Sequence, residues 1–432
     1  MPKNKFQTSN PTLASGQASL DQLTSLDQPV KIPGVLSANQ QKQGFWQIFM
    51  IMMGFTFFSP SMIAGGQLGL GLNLKDFVLA VCLGNLFLCL YTGLLGFIGQ
   101  KTGMTLDGLA MKAFGARGSL LPSFIIGMTQ MGWTGVGLAM FALPVASYLG
   151  LNPYLLVIIF GFLVTVTTLY GVKGLAVLGS VAVPAIFCLG SYSTFVSVQA
   201  VGGVSQLFAS QPLQPLSLSA ALSIVIGNFI SGGTSTPNFA RHGQKAWSTL
   251  VPTAFAFFFG NIMMFVFGAA GAGAFGKADI FDVLIMQGLA IPGILSLGFN
   301  IWTTNNNGLY TSALSFSNIS KKSLKLSTIL MGLAATCLSI FLYNHFINYL
   351  SLLGAMIPPI GGIIICDFFL DRAKYQDDQV SQTLAWEALV ALLVGVLAGH
   401  FMQAGIASLN SLFAAVVTYL VLKQVGGNQD AN

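Results

Sequence analysis

Charged side chains are what this sequence has least of. Among its 432 residues 7% are charged, whereas 54% are hydrophobic, and the mean hydropathy is +0.76. Ordinary soluble domains carry about 25% charged residues. A chain this poor in charge cannot cover a water-facing surface, so the composition excludes a soluble globular protein. It predicts an all-α protein embedded in a lipid bilayer, where each helix satisfies its own backbone hydrogen bonds.

Acidic residues and patterned cysteines are also scarce. The chain has one glutamate, Glu387, and eleven aspartates. Its five cysteines lie inside apolar runs with no CxxC spacing and no histidine nearby, which disfavours a disulfide framework or a zinc site. No His, Asp or Glu falls near the middle of a predicted span, so an intramembrane enzyme would have no acid or base there. The chain is therefore predicted not to be an enzyme.

The first 44 residues have the composition of a disordered cytoplasmic tail. They are rich in Ser, Gln, Asn and Thr, and they show no sustained apolar period. They also lack the apolar stretch of a cleaved signal peptide, so we expect the first span to direct insertion into the membrane. A transmembrane domain over 45–423 and a second short cytoplasmic tail over 424–432 complete the predicted organisation.

Runs of about 20 mostly apolar residues, the length that crosses a bilayer as a helix, predict twelve spans. These spans are 45–70, 76–99, 119–149, 153–172, 174–199, 217–240, 247–275, 283–317, 326–343, 346–370, 384–401 and 404–423. The 283–317 run is too long for one perpendicular helix. We expect Pro292 to divide a lead-in helix from the span itself.

The distribution of basic residues predicts the orientation. With twelve spans both termini lie on one side, and every Lys and Arg except Lys75 and Lys277 falls on that side. Because cytoplasmic loops collect Lys and Arg, both termini are predicted to be cytoplasmic in a bacterial inner membrane. Topology thus explains the net charge of +6, and nucleic acid is not expected as a partner. Membrane lipid is the expected surrounding, and no obligatory protein partner is evident.

Two spans contain helix-breaking residues near their middle. The first contains Gly54 to Ser61, with Pro60 inside, and the sixth contains Gly227 to Pro237. Interrupted helices are tolerated in a membrane where they line a protein cavity, and paired interruptions in two halves point to the site of an inverted-repeat transporter. The alternative is that the glycines let neighbouring helices pack closely.

Two other spans carry polar residues at helical spacing. In the third span Gln130, Trp133 and Thr134 share one face. In the eighth span the shared face holds Asn300, Thr303, Thr304 and Asn307. A buried amide is costly when it is unpaired, so these faces need either a ligand or hydrogen bonds to other helices.

The candidate residues favour a sodium ion over a proton. None of them is ionisable, whereas proton relays within membranes use Asp, Glu or His. Sodium needs only oxygen ligands, which an unwound helix and hydroxyls such as Thr303 and Thr304 provide. A substrate anion would call for a basic residue within a span, and none occurs there, so a neutral substrate is expected.

A neutral nucleobase fits the remaining side chains. Gln130, Asn228 and Asn300 each offer a hydrogen-bond donor and an acceptor, as the edge of a base requires. Flat faces for stacking are available from Phe57, Phe58, Trp133 and Phe229. Each aromatic residue alone is also compatible with simple packing.

Five motifs at these positions resemble the cytosine permeases of nucleobase:cation symporter family one. The motifs are GFTFFSPSM at 54–62, DFVLAVCLGNLFL at 76–88, TQMGWTGVGLAMFALPV at 129–145, GNFISGGT at 227–234 and NIWTTNNNGLY at 300–310. The similarity runs from about Gly44 to the last span. It implies a five-plus-five inverted-repeat transporter fold with broken first and sixth helices. It also implies import of cytosine driven by sodium.

The resemblance also implies where the ligands would bind. The base would stack between Trp133 and Phe229, with Phe58 beside it. Its edge would be bound by Gln130, Asn300 and the segment that contains Gly227, Asn228 and Ser231. Sodium, the coupling ion, would be held by the backbone carbonyls of Gly54 and Phe57, the side chain of Asn300 or a nearby oxygen, and the hydroxyls of Thr303 and Thr304.

Two positions depart from the family pattern. Asn228 stands where the pattern has Ser, which leaves another nucleobase or ring amide, such as a purine, uracil or a hydantoin, as an alternative substrate. Asn306 stands where cytosine permeases often have Asp, which bears on coupling or gating. Proton coupling is the less favoured alternative for the ion. A channel or an intramembrane enzyme is the alternative from another class, and no repeated pore motif supports a channel.

Overall fold

The computed structural model of the chain describes residues 29–36, 42–209, 215–277, 280–345, 352–382, 384–402 and 404–429. The helices, in chain order, are α1 (Phe45–Thr56), α2 (Ser59–Gly71), α3 (Leu74–Thr102), α4 (Leu106–Gly118), α5 (Leu120–Leu149), α6 (Pro153–Thr168), α7 (Gly171–Val201), α8 (Leu218–Thr234), α9 (Pro237–Ala240), α10 (Trp247–Phe255), α11 (Asn261–Phe275), α12 (Ile280–Met286), α13 (Ala290–Ser320), α14 (Leu324–Asn344), α15 (Pro358–Leu370), α16 (Trp386–Phe401) and α17 (Ala407–Gln429). A π-helical stretch, Ala256–Gly260, joins α10 to α11. Two short 3₁₀ helices, Gln206–Phe208 and Ala373–Tyr375, and two strands, β1 (Val30–Lys31) and β2 (Gln379–Val380), complete the described elements.

Most predicted spans correspond to long apolar helices. Within the described ranges, eight helical segments are long and apolar enough to cross a membrane; among them, Leu218–Ala240 joins α8 and α9, Trp247–Phe275 joins α10 and α11, and Leu352–Leu370 includes α15. A ninth span is the bent pair α1 and α2. The three other predicted spans coincide with two shorter apolar helices, α6 and α16, and with the polar-rich α13. The helix α4, between the second and third spans, was not predicted.

The first span is broken where the sequence predicts. The helix α1 ends at Thr56, Phe57 and Phe58 leave the helical conformation, and α2 starts at Ser59 with a bend of 51°. Pro60 stands in the first turn of α2, a position that suits proline because no intrahelical N–H is needed there. The local sequence therefore both ends one helix and starts the next.

The interruption of the sixth span lies at the C-terminal end of the predicted segment, Gly227 to Pro237. Residues 227 to 234 are helical, and the turn falls at Ser235 and Thr236, just before α9. The glycines before it serve packing: a Cβ on Gly232 would come within 3.1 Å of Phe55, and one on Gly233 within 2.7 Å of Thr92. The turn therefore falls at the end of the predicted 227–237 segment, and close helix packing explains the glycine pair before it.

Two other boundaries also differ from the predicted ones. The long 283–317 run is divided at residues 287–289, whereas Pro292 lies in the first turn of α13, where it fits without breaking the helix. The helix α17 continues to Gln429, beyond the predicted tail boundary at 424.

Part of the predicted disordered tail is ordered chain. Residues 1–28 and 37–41 lie outside the described residues, but 29–36 include β1, which pairs antiparallel with β2. Val30 lies opposite Val380, and the neighbouring Ile32 is 1% exposed. The prediction of disorder is therefore wrong for 29–36. This short segment is ordered because Val30 and Lys31 pair with a strand near the end of the chain.

One end of the bundle carries α4, the β1–β2 pair and the basic residues Lys101, Lys112, Arg241, Lys374 and Lys423; we call it the basic end. The eighth span, α13, packs against α5, α7 and α14, while α2 packs against α11. The helix α13 also contacts α1 and α2, so the broken first span meets the eighth span.

Candidate functional site

A small cavity of about 20 Å³ lies between the first, third, sixth and eighth spans. Seven of the predicted site residues line it: Phe58, Gln130, Trp133, Asn228, Phe229, Ser231 and Thr304. Thr134, which shares the predicted face with Gln130 and Trp133, also lines it, and four further lining residues were not predicted: Phe55, Gly232, Asn305 and Gly308.

Aromatic rings form the walls of this central cavity. The ring centroids of Phe58 and Trp133 are 5.3 Å apart, and those of Phe58 and Phe229 are 5.8 Å apart, both in edge-to-face geometry. Phe229 also meets Phe55 edge to face at 5.3 Å. Such mutual contacts hold the rings in fixed orientations. The cavity therefore offers flat apolar surfaces that do not depend on the ligand for their position.

Gln130 supplies an unused hydrogen-bond donor. Its side chain is 2% exposed, and its Nε2 has no partner among the described residues. Its backbone carbonyl accepts a hydrogen bond from the Thr134 hydroxyl, 2.9 Å away. A buried polar group without a partner costs about 1–3 kcal/mol, so a ligand that pairs with this amide would recover that cost.

Asn305 lies beside the cavity but directs its polar atoms towards the third span. Its Nδ2 donates to the Thr134 carbonyl at 3.0 Å, and its amide packs against the bare Cα of Gly137. The amide is thus held by α5. The sequence signal that could have found it is the glycine opposite, which leaves room for a carboxamide.

Asn228 lies between the central cavity and a second, larger cavity. It lines both, whereas Gly227 lines only the larger one. Its Nδ2 donates to the Ser61 hydroxyl at 2.7 Å, which ties α8 to α2. The departure from the family pattern at 228 therefore stands at the mouth of the central cavity.

Thr304 faces the break in the first span. Its Oγ1 lies 3.2 Å from the carbonyl oxygen of Gly54, 3.4 Å from that of Phe55 and 3.2 Å from that of Phe57. One hydroxyl hydrogen can serve only one of these acceptors at a time. The group is therefore a cluster of four oxygens with more acceptors than donors, which is the chemistry that a small cation requires.

Thr303 differs from its neighbour. Its hydroxyl donates within its own helix, to the carbonyls of Phe299 at 3.1 Å and Asn300 at 2.8 Å. The two adjacent threonines thus point to different partners, and the Thr304 hydroxyl is the one that meets the first span.

Asn300 caps the second half of the broken span. Its Oδ1 accepts hydrogen bonds from the backbone N–H of Ser59 at 2.7 Å and from the Ser59 hydroxyl at 2.6 Å. It lines a separate small cavity beside Ser59 and is not among the residues that line the central one. The structure therefore brings Asn300 to the helix break and sets it apart from the aromatic walls.

The second departure from the family pattern faces away from the cavity. The Oδ1 of Asn306 accepts hydrogen bonds of 3.0 Å from the hydroxyls of Thr167 and Thr168, at the end of α6. Asn306 thus joins the eighth span to the fourth. An amide at this position provides an acceptor for both hydroxyls without placing a charge between the helices.

Comparisons with known proteins find relatives over most of the chain. A family model described as "Permease for cytosine/purines, uracil, thiamine, allantoin" matches residues 36–422. The cytosine permease of Escherichia coli strain K12 is 46% identical over 386 residues, which cover 89% of this chain and 92% of that protein.

Solved structures share the fold. Mhp1, a nucleobase-cation-symport-1 family transporter in a closed conformation with bromovinylhydantoin bound, aligns with a TM-score of 0.78 at 19% identity, over 92% of this chain and 96% of its own. A Na⁺-coupled sialic acid symporter in a substrate-bound, outward-open state aligns with a TM-score of 0.71 at 14% identity, over 97% and 98% of the two chains. The sequence-based prediction of this transporter fold is confirmed.

Proposed function

The chain belongs to the family of permeases for cytosine/purines, uracil, thiamine and allantoin, and from this premise we propose that it imports cytosine together with sodium by alternating access. It is a multi-pass membrane transporter of the nucleobase class and not an enzyme. The proposal adds the particular base, the ion, the direction and the membrane, which is the bacterial cytoplasmic membrane.

The observation that carries the proposal is the unpaired amide of Gln130 between aromatic walls. A nucleobase has two flat faces and an edge of alternating donors and acceptors, and this cavity combines both complements. Trp133 and Phe229 would cover the two faces, while Gln130 would donate to a carbonyl or ring nitrogen. Asn228 and Ser231 add polar atoms at the rim. The cytosine permease at 46% identity favours cytosine over other bases.

Sodium is proposed to bind where Thr304 meets the broken span. The carbonyls of Gly54, Phe55 and Phe57 supply oxygens from one half of the molecule, and the Thr304 hydroxyl supplies one from the eighth span. An ion there would fix the break against the eighth span. Since Thr304 also lines the central cavity, an ion that holds Thr304 and the helix break in place would also hold part of the base site in place. Binding of the ion would therefore raise the affinity for the base, and binding of the base would raise the affinity for the ion.

Asn300 is proposed to act on both sites through the helix break. By capping Ser59 it fixes the start of α2, on which Phe58 and the carbonyl of Phe57 depend. In this proposal Asn300 contributes to base and sodium binding by holding the backbone that positions the Phe58 ring and the Phe57 carbonyl. Thr303, whose hydroxyl is used within α13, would join the ion only if that hydroxyl turned.

The distribution of charge supports the proposed orientation. The basic end would face the cytoplasm, with both termini there. The larger cavity is lined by α2, the second half of the first span, which includes Gln67. It is also lined by the beginning of the sixth span. It would be the outer entrance, and Asn228 would stand between it and the base site.

Thermal unfolding of the detergent-purified protein tests substrate and ion together. A ligand that binds the native state raises the melting temperature by mass action. The panel holds cytosine, uracil, a purine base and hydantoin, each in sodium, potassium or choline chloride at equal ionic strength. We expect the largest shift for cytosine in sodium and a smaller shift in potassium or choline.

Other outcomes separate the alternatives. A larger shift with another base would replace cytosine as the substrate. A cytosine shift that follows pH and ignores sodium would support proton coupling. The absence of a shift with every base in the parent would contradict the proposed site. The comparison is the Gln130→Ala variant, which should unfold at the same temperature as the parent when no ligand is present.

A further inference from the structure

Residues 29–36 form a short segment, here called the strap, that crosses the basic end. Four parts of the chain that are distant in sequence hold it: the end of α3, the helix α4, the end of the sixth span, and the loop that contains β2. None of these contacts belongs to the cavity or the ion site described above. The strap therefore needs a separate explanation.

The strap is attached to the β2 loop by backbone hydrogen bonds. Val30 and Lys31 pair with Val380 and Gln379, and the N–H of Ile32 donates to the carbonyl of Asp378 at 2.7 Å. An exposed ion pair of 3.0 Å joins Lys31 to Asp378 and adds little by itself. The loop is in turn fixed to α4, because the ammonium of Lys112 donates to the carbonyl of Gln379 at 2.6 Å.

A buried side chain fastens the strap to α4. Ile32 is 1% exposed, and a Cβ on Gly108 in the first turn of α4 would come within 2.9 Å of its Cγ2. Because Gly108 has no side chain, it leaves a space, here called the seat, that the Ile32 side chain fills. Helix α4 is joined to the eighth span, because Ser315 donates to the carboxylate of Asp107 at 3.1 Å, and it also contacts the sixth span, because the Leu106 N–H donates to Asn238 Oδ1 at 2.8 Å.

The other attachments are to the sixth and second spans. The guanidinium of Arg241, 5% exposed at the end of the sixth span, donates to the carbonyl of Gly34 at 2.5 Å. The N–H of Leu36 donates to the carbonyl of Gly103 at the end of α3. The strap thus connects the sixth span with α4 and β2.

We propose that the strap is a releasable latch that holds the basic end closed. The strap joins the end of the sixth span to α4 and the β2 loop. Movement of the sixth span away from α4 must break the Leu106–Asn238 hydrogen bond, and it must also break the Arg241–Gly34 hydrogen bond or displace Ile32 from Gly108. Passage from the central cavity to the basic end runs between the same spans: Asn238 of the sixth donates to Thr311 of the eighth at 3.3 Å. The strap must leave before this contact can open. The inference rests on the proposed alternating-access transport.

Chemical labelling at Thr311 measures that opening without any ligand. Thr311 is fully buried and lies one helical turn beyond Gly308, which lines the central cavity. In a chain whose native cysteines are replaced, Thr311→Cys reports access from the basic end through its reaction with a water-soluble maleimide. We expect Ile32→Ser to raise the labelling rate at least tenfold, because a hydroxyl in the seat at Gly108 loosens the strap.

The matched control is Ile329→Ser, the same change at a side chain 41% exposed on α14. It should leave the labelling rate unchanged. An equal rate in the parent and in Ile32→Ser would overturn the latch. Because no base is present in this measurement, its result does not depend on whether cytosine is the substrate.

A reversible cross-link provides the second arm. Lys31 and Gln379 are exposed partners in the strand pair, next to the hydrogen-bonded position of Ile32 and Asp378, so their side chains are close neighbours. In the cysteine-free chain we expect Lys31→Cys with Gln379→Cys, when oxidised, to bind the base normally and to transport it at least tenfold more slowly. Reduction should restore uptake, and each single variant should ignore the oxidant.

Equal uptake by the cross-linked and the reduced protein would overturn the proposal even if Ile32→Ser fails to fold. If the reduced protein binds and transports another base of the panel, that base is used, and the substrate proposal alone fails. If it transports none, the transport proposal fails, and the labelling rate still decides whether the strap holds the basic end closed.

Discussion

The carboxamide of Asn228 donates a 2.7 Å hydrogen bond to the hydroxyl of Ser61, and this bond joins the sixth span to the second half of the first span. Asn228 lines the central cavity and the larger cavity beside it, so the pair stands at the passage between them. One hydrogen bond therefore links ligand access to the position of the broken span.

Shortening the side chain at 228 tests its effect on ligand choice. We expect Asn228→Ser, which restores the family pattern, to raise the affinity for cytosine about threefold or more relative to uracil, a purine base and hydantoin. The reason is that a smaller side chain leaves more of the base edge accessible to the cavity. Binding constants across the panel measure this. The control, Ser61→Ala, removes the hydrogen bond and keeps the amide; unchanged constants in Asn228→Ser would show that residue 228 does not select the base.

Removing the aromatic wall at 133 should abolish most base binding. Stacking on a base contributes about 1–3 kcal/mol, so Trp133→Ala should weaken cytosine binding roughly 5-fold to 150-fold. Titration calorimetry in sodium measures the change. Trp46→Ala, at a tryptophan 67% exposed and far from the cavity, serves as the control. Normal affinity in Trp133→Ala, with the control also normal, would remove Trp133 from the site.

The hydroxyl of Thr304 should determine sodium dependence. We expect Thr304→Ala to raise the sodium concentration for half-maximal uptake about tenfold, because one of the clustered oxygens is lost, and Thr304→Ser to restore it. Uptake in vesicles over a series of sodium concentrations at constant ionic strength gives the value. Thr303→Ala is the matched neighbour, and we expect a smaller effect because its hydroxyl is used within α13. An unchanged sodium dependence in Thr304→Ala would contradict the ion site.

Acid should destabilise the protein through His242. Burial, and next the positive charge of Arg241, lower the pKa of this histidine to about 3. An unfolded histidine has a pKa of about 6.5, so between those values the unfolded chain binds a proton that the folded chain does not. This contribution is therefore complete above about pH 6.5 and is lost as the pH falls towards 3.

The measurement is the melting temperature from pH 7.5 to pH 5. We expect the parent to lose more than His242→Gln, by about several degrees, since the glutamine does not titrate in this range. Parallel decreases in the two proteins would assign the acid sensitivity to other groups.

Close packing of the first and seventh spans should make Gly65 intolerant of any side chain. A Cβ there would collide with the backbone of Phe265. We expect Gly65→Ala to lower the free energy of unfolding by about 1–3 kcal/mol, as overpacking does. Gly93→Ala is the matched control, because nothing lies within 4 Å of the Cβ that it adds. Equal melting temperatures for the two variants would contradict the predicted intolerance at Gly65.

Local signals account for what could be predicted. The break of the first span follows from Pro60, which both ends and starts a helix within a few residues. Gln130 and Trp133 were found because one helical turn separates them on a single face. The glycines of the sixth span also suggested a helix break, but their cause is different. Gly232 and Gly233 leave room for Phe55 and Thr92, and the helix continues through them.

Side-chain direction could not be read from spacing alone. The face predicted for the eighth span contains Asn300, Thr303, Thr304 and Asn307, but the residues of α13 that line the cavity are Thr304, Asn305 and Gly308. The rotation of α13 is set by its packing against α5 and α7. The strap was missed for a related reason: Ile32 carries little signal by itself, and its partners are supplied by chain far along the sequence.

The cap of α2 also constrains how the protein is made. Asn300, which accepts the hydrogen bond from the Ser59 N–H, lies 241 residues further along the chain. A ribosome that has delivered the first span has not yet delivered this acceptor, and lipid cannot replace it. The bent geometry of the first span is therefore completed only after the eighth span has entered the membrane. A chain that ends before α13 would therefore have a first span that lacks its cap.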